Sequence, residues 1–234
     1  MCGRFTLKTP AGDVARLLEL LSPVELDARH NIAPTQSVAA VRVLPGEGRQ
    51  LAMLSWGLIP AWAEEPSIGS RLVNARAETV ATKPAFREAF RRRRCLIPAD
   101  GFYEWQRRGR LKVPFHIRLA DGGAFVMAGL WDRWRRGGLE IESCTIITTE
   151  ANELVRPLHD RMPVILPPQA YSTWLDPSVE DRATLEHWLR PYPAEQMIAT
   201  AVSSRVNMAS AEGPECLETR APAVTESQRL LDFG

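Results

Sequence analysis

The chain has 234 residues, of which 45% are apolar and 24% charged, and its formal net charge is +1. That balance fits a soluble folded protein and excludes both a disordered chain and a strongly basic nucleic-acid binder. No apolar run approaches the ~18 residues a membrane span needs, and the N-terminus, Met-Cys-Gly-Arg-Phe, lacks a secretory signal's apolar stretch, so a cytoplasmic location is expected.

Residues 9–21 predict a helix. Thr9 can cap it, Pro10 suits its first turn, and Val14, Leu17, Leu18 and Leu21 form an apolar stripe. Residues 38–44 and 51–56 predict strands around the turn at 45–48. Residues 84–94 read as a helix with a basic end, Arg91 to Arg94. Residues 95–97 and 102–105 read as short strands. Residues 115–119 and 125–130 flank an Asp-Gly-Gly turn, a hairpin signal. Residues 141–148 form a β-branched strand, 150–156 a short helix, 162–166 a strand, and 168–176 and 180–190 helices. Many short strands among scattered helices, without a βαβ rhythm, predict an α+β fold. Its core is expected to be mostly antiparallel and barrel-like, with peripheral helices. One domain is expected over 1–208, followed by a loosely held, polar tail at 209–234.

The four cysteines, Cys2, Cys95, Cys144 and Cys216, are far apart and form no Cys-x-x-Cys pair, which argues against a disulfide framework or a zinc site. The basic residues comprise 26 Arg and 3 Lys. Arginine suits phosphate, although a GC-rich coding sequence produces the same surplus.

Four segments could carry chemistry. Loss of Met1 would leave Cys2 with a 1,2-aminothiol. Its α-amine, with a reference pKa of about 7.7–8.0, could attack an aldehyde. Its thiol could then close a five-membered ring. Gly3 admits a close backbone approach and Arg4 could hold a phosphate. By position alone Cys2 reads rather as a small buried cysteine near the terminus, and it is Gly3 and Arg4 that shift the balance toward chemistry. Asn74 and Arg76 lie two residues apart, so an extended segment presents both on one face, toward a polar ligand or toward structural partners. Glu104, between Tyr103 and Trp105, could have a raised pKa suited to proton transfer, or could face solvent from an edge strand. His159 is the histidine best placed for acid–base work, with Arg161 two residues on; His30, His116 and His187 read as structural.

In chain order the sequence carries M-C-G-R-F, N-I-A-P-T, W-G-L-I-P-A-W, N-A-R-A-E-T, R-C-L-I-P-A-D-G-F-Y-E-W and H-D-R-M-P-V. This set, from Cys2 to about Asn207, resembles the SRAP family, the SOS response-associated peptidases also called abasic-site processing proteins. The resemblance implies binding to single-stranded DNA and single-strand/double-strand junctions. It also implies a covalent thiazolidine crosslink from Cys2 to the ring-opened abasic sugar, which shields the lesion. Cys2 corresponds to the crosslinking residue. Asn74 corresponds to the amide holding the sugar, Glu104 to a proton shuttle, and His159 to a second acid–base group. Arg4, Arg76 and Arg161 match phosphate contacts, and Asn31, Pro34, Trp56 and Trp62 fall in motifs lining a DNA channel. Weak lyase activity and peptidase removal of Met1 are further expectations. No cofactor or metal is expected, and a monomer, nucleoid-associated when bound to DNA, is. A cysteine hydrolase acting in trans, with Cys2 as nucleophile and His159 as base, uses the same residue types.

Overall fold

The computed structural model describes residues 2–219, apart from 23, 45 and 110. Two sheets make up the molecule. The larger contains β3 (Ser37–Val43), β4 (Arg49–Trp56), β5 (Asn74–Arg76), β6 (Arg94–Ala99), β9 (Phe125–Arg136), β10 (Leu139–Glu150), β11 (Arg161–Pro163) and β12 (Ile165–Leu166). Within it, β3 pairs with β4 and β6, β6 with β9, β9 with β10, and β10 with β4. These five strands therefore form a closed barrel. Within the barrel only the closing pair, Ser143 with Ser55 and Cys144 with Trp56, is parallel; outside it, β5 also lies parallel to β10. The fold is α+β and mostly antiparallel, as the sequence predicts.

Barrel closure follows from residue type. Every residue of β6 is buried, on the face turned to the barrel interior and on the face covered by helices alike. A side chain at Gly129 of β9 would meet Cys95 Sγ and Ile97 Cδ1 at 2.8 Å, so a Cβ there has no room. Arg94 is buried yet satisfied: its guanidinium donates to the carbonyls of Trp174 (2.6 Å), Phe90 (2.8 Å) and Val179 (3.1 Å). Burial holds its pKa down to about 10. It thereby joins α2 (Arg87–Arg92) to α3 (Tyr171–Leu175).

The second sheet runs β13 (Met197–Ala201), β8 (Leu111–Leu119), β7 (Gly101–Arg108), β1 (Phe5–Leu7), β2 (Arg29–Ile32), all antiparallel. The chain leaves the barrel for this sheet at Asp100. The Asp100 carboxylate accepts from Lys8 N (2.6 Å), Thr9 N (2.9 Å) and Thr6 Oγ1 (2.6 Å), pinning the corner to the first strand. Those hydrogen bonds and Lys8 hold its carboxyl below the usual carboxylate range, although burial acts the other way.

Several expectations change. Residues 115–119 and 125–130 are not hairpin partners: they lie in different sheets, and form instead the β7–β8 and β9–β10 hairpins, while β3–β4 is a hairpin about the expected 45–48 turn. The helix expected at 150–156 is absent. β10 runs through Glu150, and Asn152 instead accepts from Val155 N (3.0 Å), building a turn. The first helix is shorter than 9–21, with α1 at Ala11–Leu17, and Leu21 is fully exposed. The helix expected at 84–94 is only Arg87–Arg92, because Arg94 enters β6. The strand expected at 162–166 divides into β11 and β12. Helix 180–190 reduces to α4 (Arg182–Glu186) followed by turns. Residues 209–219 pack on the domain: Cys216 is buried and Val202 bridges to Thr219. The rest of the expected loose tail, 220–234, and Met1 lie outside the described residues.

Candidate active site

A cavity of about 440 Å³ opens between the two sheets' elements, lined by Glu104, Trp105, Arg107, Lys112, His159 and Asn207. Cys2 is fully buried, close enough to Glu104 for the carboxylate to act on its thiol. The register of β1 on β7 sets Phe5 against Phe102, so the segment 2–4 runs beside Tyr103 and Glu104; Tyr103 N donates to Arg4 O at 2.9 Å. β5 approaches from the barrel side, aligned with Ile146–Thr148 of β10. Its Asn74 Nδ2 donates to Cys2 O at 2.8 Å. The Asn74 Oδ1 is buried and accepts no hydrogen bond among the described residues. An acceptor buried without a partner is unfavourable unless a ligand supplies one. Trp56 seats this arrangement. It packs edge-on against Phe5, with ring centroids 5.2 Å apart, and donates from Nε1 to Val73 O at 2.9 Å.

Burial sets the electrostatics. Glu104 is only 3% exposed, and desolvation pushes its carboxyl up to about 7. Desolvation, with the nearby Glu104 carboxylate, also pushes the Cys2 thiol up, so the sulfur is protonated at neutral pH. His159 is held below its ordinary value, chiefly by burial. Its Nδ1 accepts from Arg161 N at 2.9 Å and also lies 2.8 Å from Asp160 Oδ1. The first contact needs a lone pair on Nδ1 and the second a proton. The two contacts therefore draw on different protonation states of the ring.

The four expected chemical residues thus split. Cys2, Asn74 and Glu104 converge, and His159 shares the cavity with Glu104. Of the expected phosphate contacts, Arg76 is exposed and makes no ion pair among the described residues. Arg161 is 11% exposed; its fork meets Glu78 at 2.6 and 2.9 Å, and it also donates to Thr148 O at 2.5 Å. Arg4 donates to Asn31 Oδ1 and Val206 O, both at 2.7 Å, with its guanidinium 5.9 Å from the Trp105 ring centre. Two channel assignments are corrected. Trp56 is 0% exposed and cannot stack on a base. Asn31 is equally buried, donating to Met208 O (2.9 Å) and Ala211 O (2.7 Å), so it ties down the 206–211 segment. Pro34 is half-buried, whereas Trp62 is 60% exposed. Sequence reasoning missed Trp105, Arg107, Lys112 and Asn207. For Arg107 and Lys112 a signal existed: residues 105–120 contain five basic residues and no acidic one.

The pattern described as "SOS response associated peptidase (SRAP)" matches residues 1–209. The chain belongs to the SRAP family. SRAP relatives include the abasic site processing protein YoqW of Bacillus subtilis (strain 168), 42% identical over 224 residues, which span 94% of this chain and all of YoqW. YedK of Escherichia coli (strain K12), also named an abasic site processing protein, is 31% identical over 93% of this chain and 99% of its own length. The Xenopus tropicalis abasic site processing protein HMCES is 32% identical over 79% of this chain and 64% of its own. Among solved structures, a Bacteroides thetaiotaomicron protein superposes with a TM-score of 0.85 at 29% identity, covering 94% of this chain and all of that one. A Bordetella bronchiseptica protein gives 0.75 at 33% identity, over 86% and 100%. Among the described residues of this SRAP chain, no group of His, Cys, Asp or Glu is placed to hold a metal, and no helix is long and apolar enough to cross a membrane.

Proposed function

We propose that this protein recognises abasic sites in single-stranded DNA, including sites near duplex junctions, and bonds to them through Cys2 once Met1 is removed. The names of its relatives point to the lesion. The observation that carries the chemistry is Glu104: a buried carboxyl, near neutral pKa, beside Cys2. Removal of Met1 makes the Cys2 nitrogen a primary amine. An abasic sugar opens to an aldehyde at C1′. The amine adds to that carbon, and water leaves to give an imine. Both steps move protons, and a carboxyl whose pKa matches the working pH can both donate and accept them. The Cys2 thiol, kept protonated by burial, then adds to the same carbon. Its proton passes by way of Glu104 to the nitrogen, and the thiazolidine ring closes.

The remaining groups have supporting roles. Asn74 Oδ1 offers an acceptor for a sugar hydroxyl, and the His159 imidazole, which lines the same cavity as Glu104, offers a second acid–base group. Arg76, on the same face as Asn74, suits a flanking phosphate; Arg161 and Arg4 border the site. Ring closure withdraws the imine from β-elimination, so lyase activity is weak and the strand stays intact. The cysteine-hydrolase reading has less support, because a thiol held in its acid form is a poor nucleophile toward peptides.

Mass spectrometry with and without an abasic oligonucleotide tests this reading. The expected masses are a chain lacking Met1 and an adduct of chain plus oligonucleotide minus one water. Cys2→Ala should form no heat-stable adduct while still binding the strand. A persistent adduct in that variant would overturn the assignment.

A further inference from the structure

The β7–β8 hairpin contains an arrangement that folding alone does not favour. Arg107 and Lys112 are directly opposed cross-strand neighbours, and both are exposed. Opposed like charges on an antiparallel pair are destabilising, with Cβ atoms about 5 Å apart. Neither residue makes an ion pair or side-chain hydrogen bond among the described residues. The sequence supplies no local relief, since no acidic residue occurs between Glu104 and Asp121. Both residues nevertheless line the cavity that Glu104 and His159 also border, from the opposite face of β7 to Glu104. Strand alternation also places Arg107 on the same face as Trp105, whose indole Nε1 donates to Asn207 Oδ1 at 2.7 Å and fixes the cavity rim. A pair of unneutralised cations at the mouth of such a cavity calls for an anion from outside the protein.

We propose that Arg107 and Lys112 form a phosphate clamp that grips the DNA backbone beside the abasic nucleotide. It belongs to the second sheet, whereas Arg76 and Arg161 belong to the barrel sheet. The strand is thus held by cations from both sheets, with the abasic sugar between them. The clamp rests on the proposed single-strand binding and extends it to a second bank of the cavity.

The test is a salt titration of binding to an intact single strand, read by fluorescence anisotropy, with the parent and an Arg107→Ala, Lys112→Ala double variant. Each lost phosphate contact removes about 0.7 from the slope of log K against log salt, so the variant's slope should be shallower by about 1.4. Affinity at moderate salt should fall about tenfold. The melting temperature should hold or rise as the like-charge repulsion is removed, which separates weak binding from unfolding. An unchanged slope and affinity would overturn the clamp. If the pair contributes to the slope but the parent forms no adduct, the clamp stands and the covalent reading falls.

Discussion

At the residue scale, Glu104 links the chemistry to stability. Its folded pKa of about 7 lies above the ordinary 4.5, so the folded state binds the proton more tightly than the unfolded chain. The protonated carboxyl is fully tolerated below about 4.5, and stability is lost as pH rises through 7. Glu104→Gln removes this pH-dependent penalty. Relative to the parent, the variant should gain roughly 2–3 kcal/mol on going from pH 5 to pH 8, measured by urea unfolding. Its crosslinking should be slow throughout that range. Glu78 presents the opposite case: Arg161 holds its carboxyl below the ordinary value, so it is an anion occupying the fork expected to bind phosphate. With the Glu78 carboxylate half exposed to solvent, the pair contributes at most ~1 kcal/mol. Glu78→Gln should therefore tighten single-strand binding by up to about fivefold in an anisotropy assay. Weaker binding would show that Glu78 instead positions Arg161.

At the scale of elements, the strands were more legible than the helices. Apolar and β-branched runs located β3, β4 and β6 within a residue or two, and β7 at its start but three residues short at its end, where it turns polar. The helices are only five to seven residues long, so their ends depend on packing more than on pattern. The Asp-Gly-Gly turn was read as a hairpin because turn chemistry is local, whereas the choice of sheet is made by partners far along the chain. Gly129 shows how such a partner acts. Its missing Cβ lets β6 and β9 close the barrel over Cys95 and Ile97. Gly129→Ala should cost about 1–3 kcal/mol, seen as a lowered urea midpoint with an unchanged slope.

At the scale of the whole molecule, the near-zero net charge conceals how charge is distributed. The stretch from 105 to 120 is purely basic, while acidic residues elsewhere pair with arginines, as Glu142 does with Arg42 and Arg133. The sequence by itself determined the α+β class, most strands, and the residues we propose for the aldehyde chemistry: Cys2, Asn74, Glu104 and His159. Those follow from local pattern and intrinsic reactivity, which a linear chain displays. Only the tertiary structure decided that Asn74 reaches Cys2, that Glu104 is desolvated, that Trp56 and Asn31 are interior supports, and that Arg107 faces Lys112. Each of these depends on burial or on strand register, quantities set by which distant segments pack together, and neighbours in sequence carry no record of them.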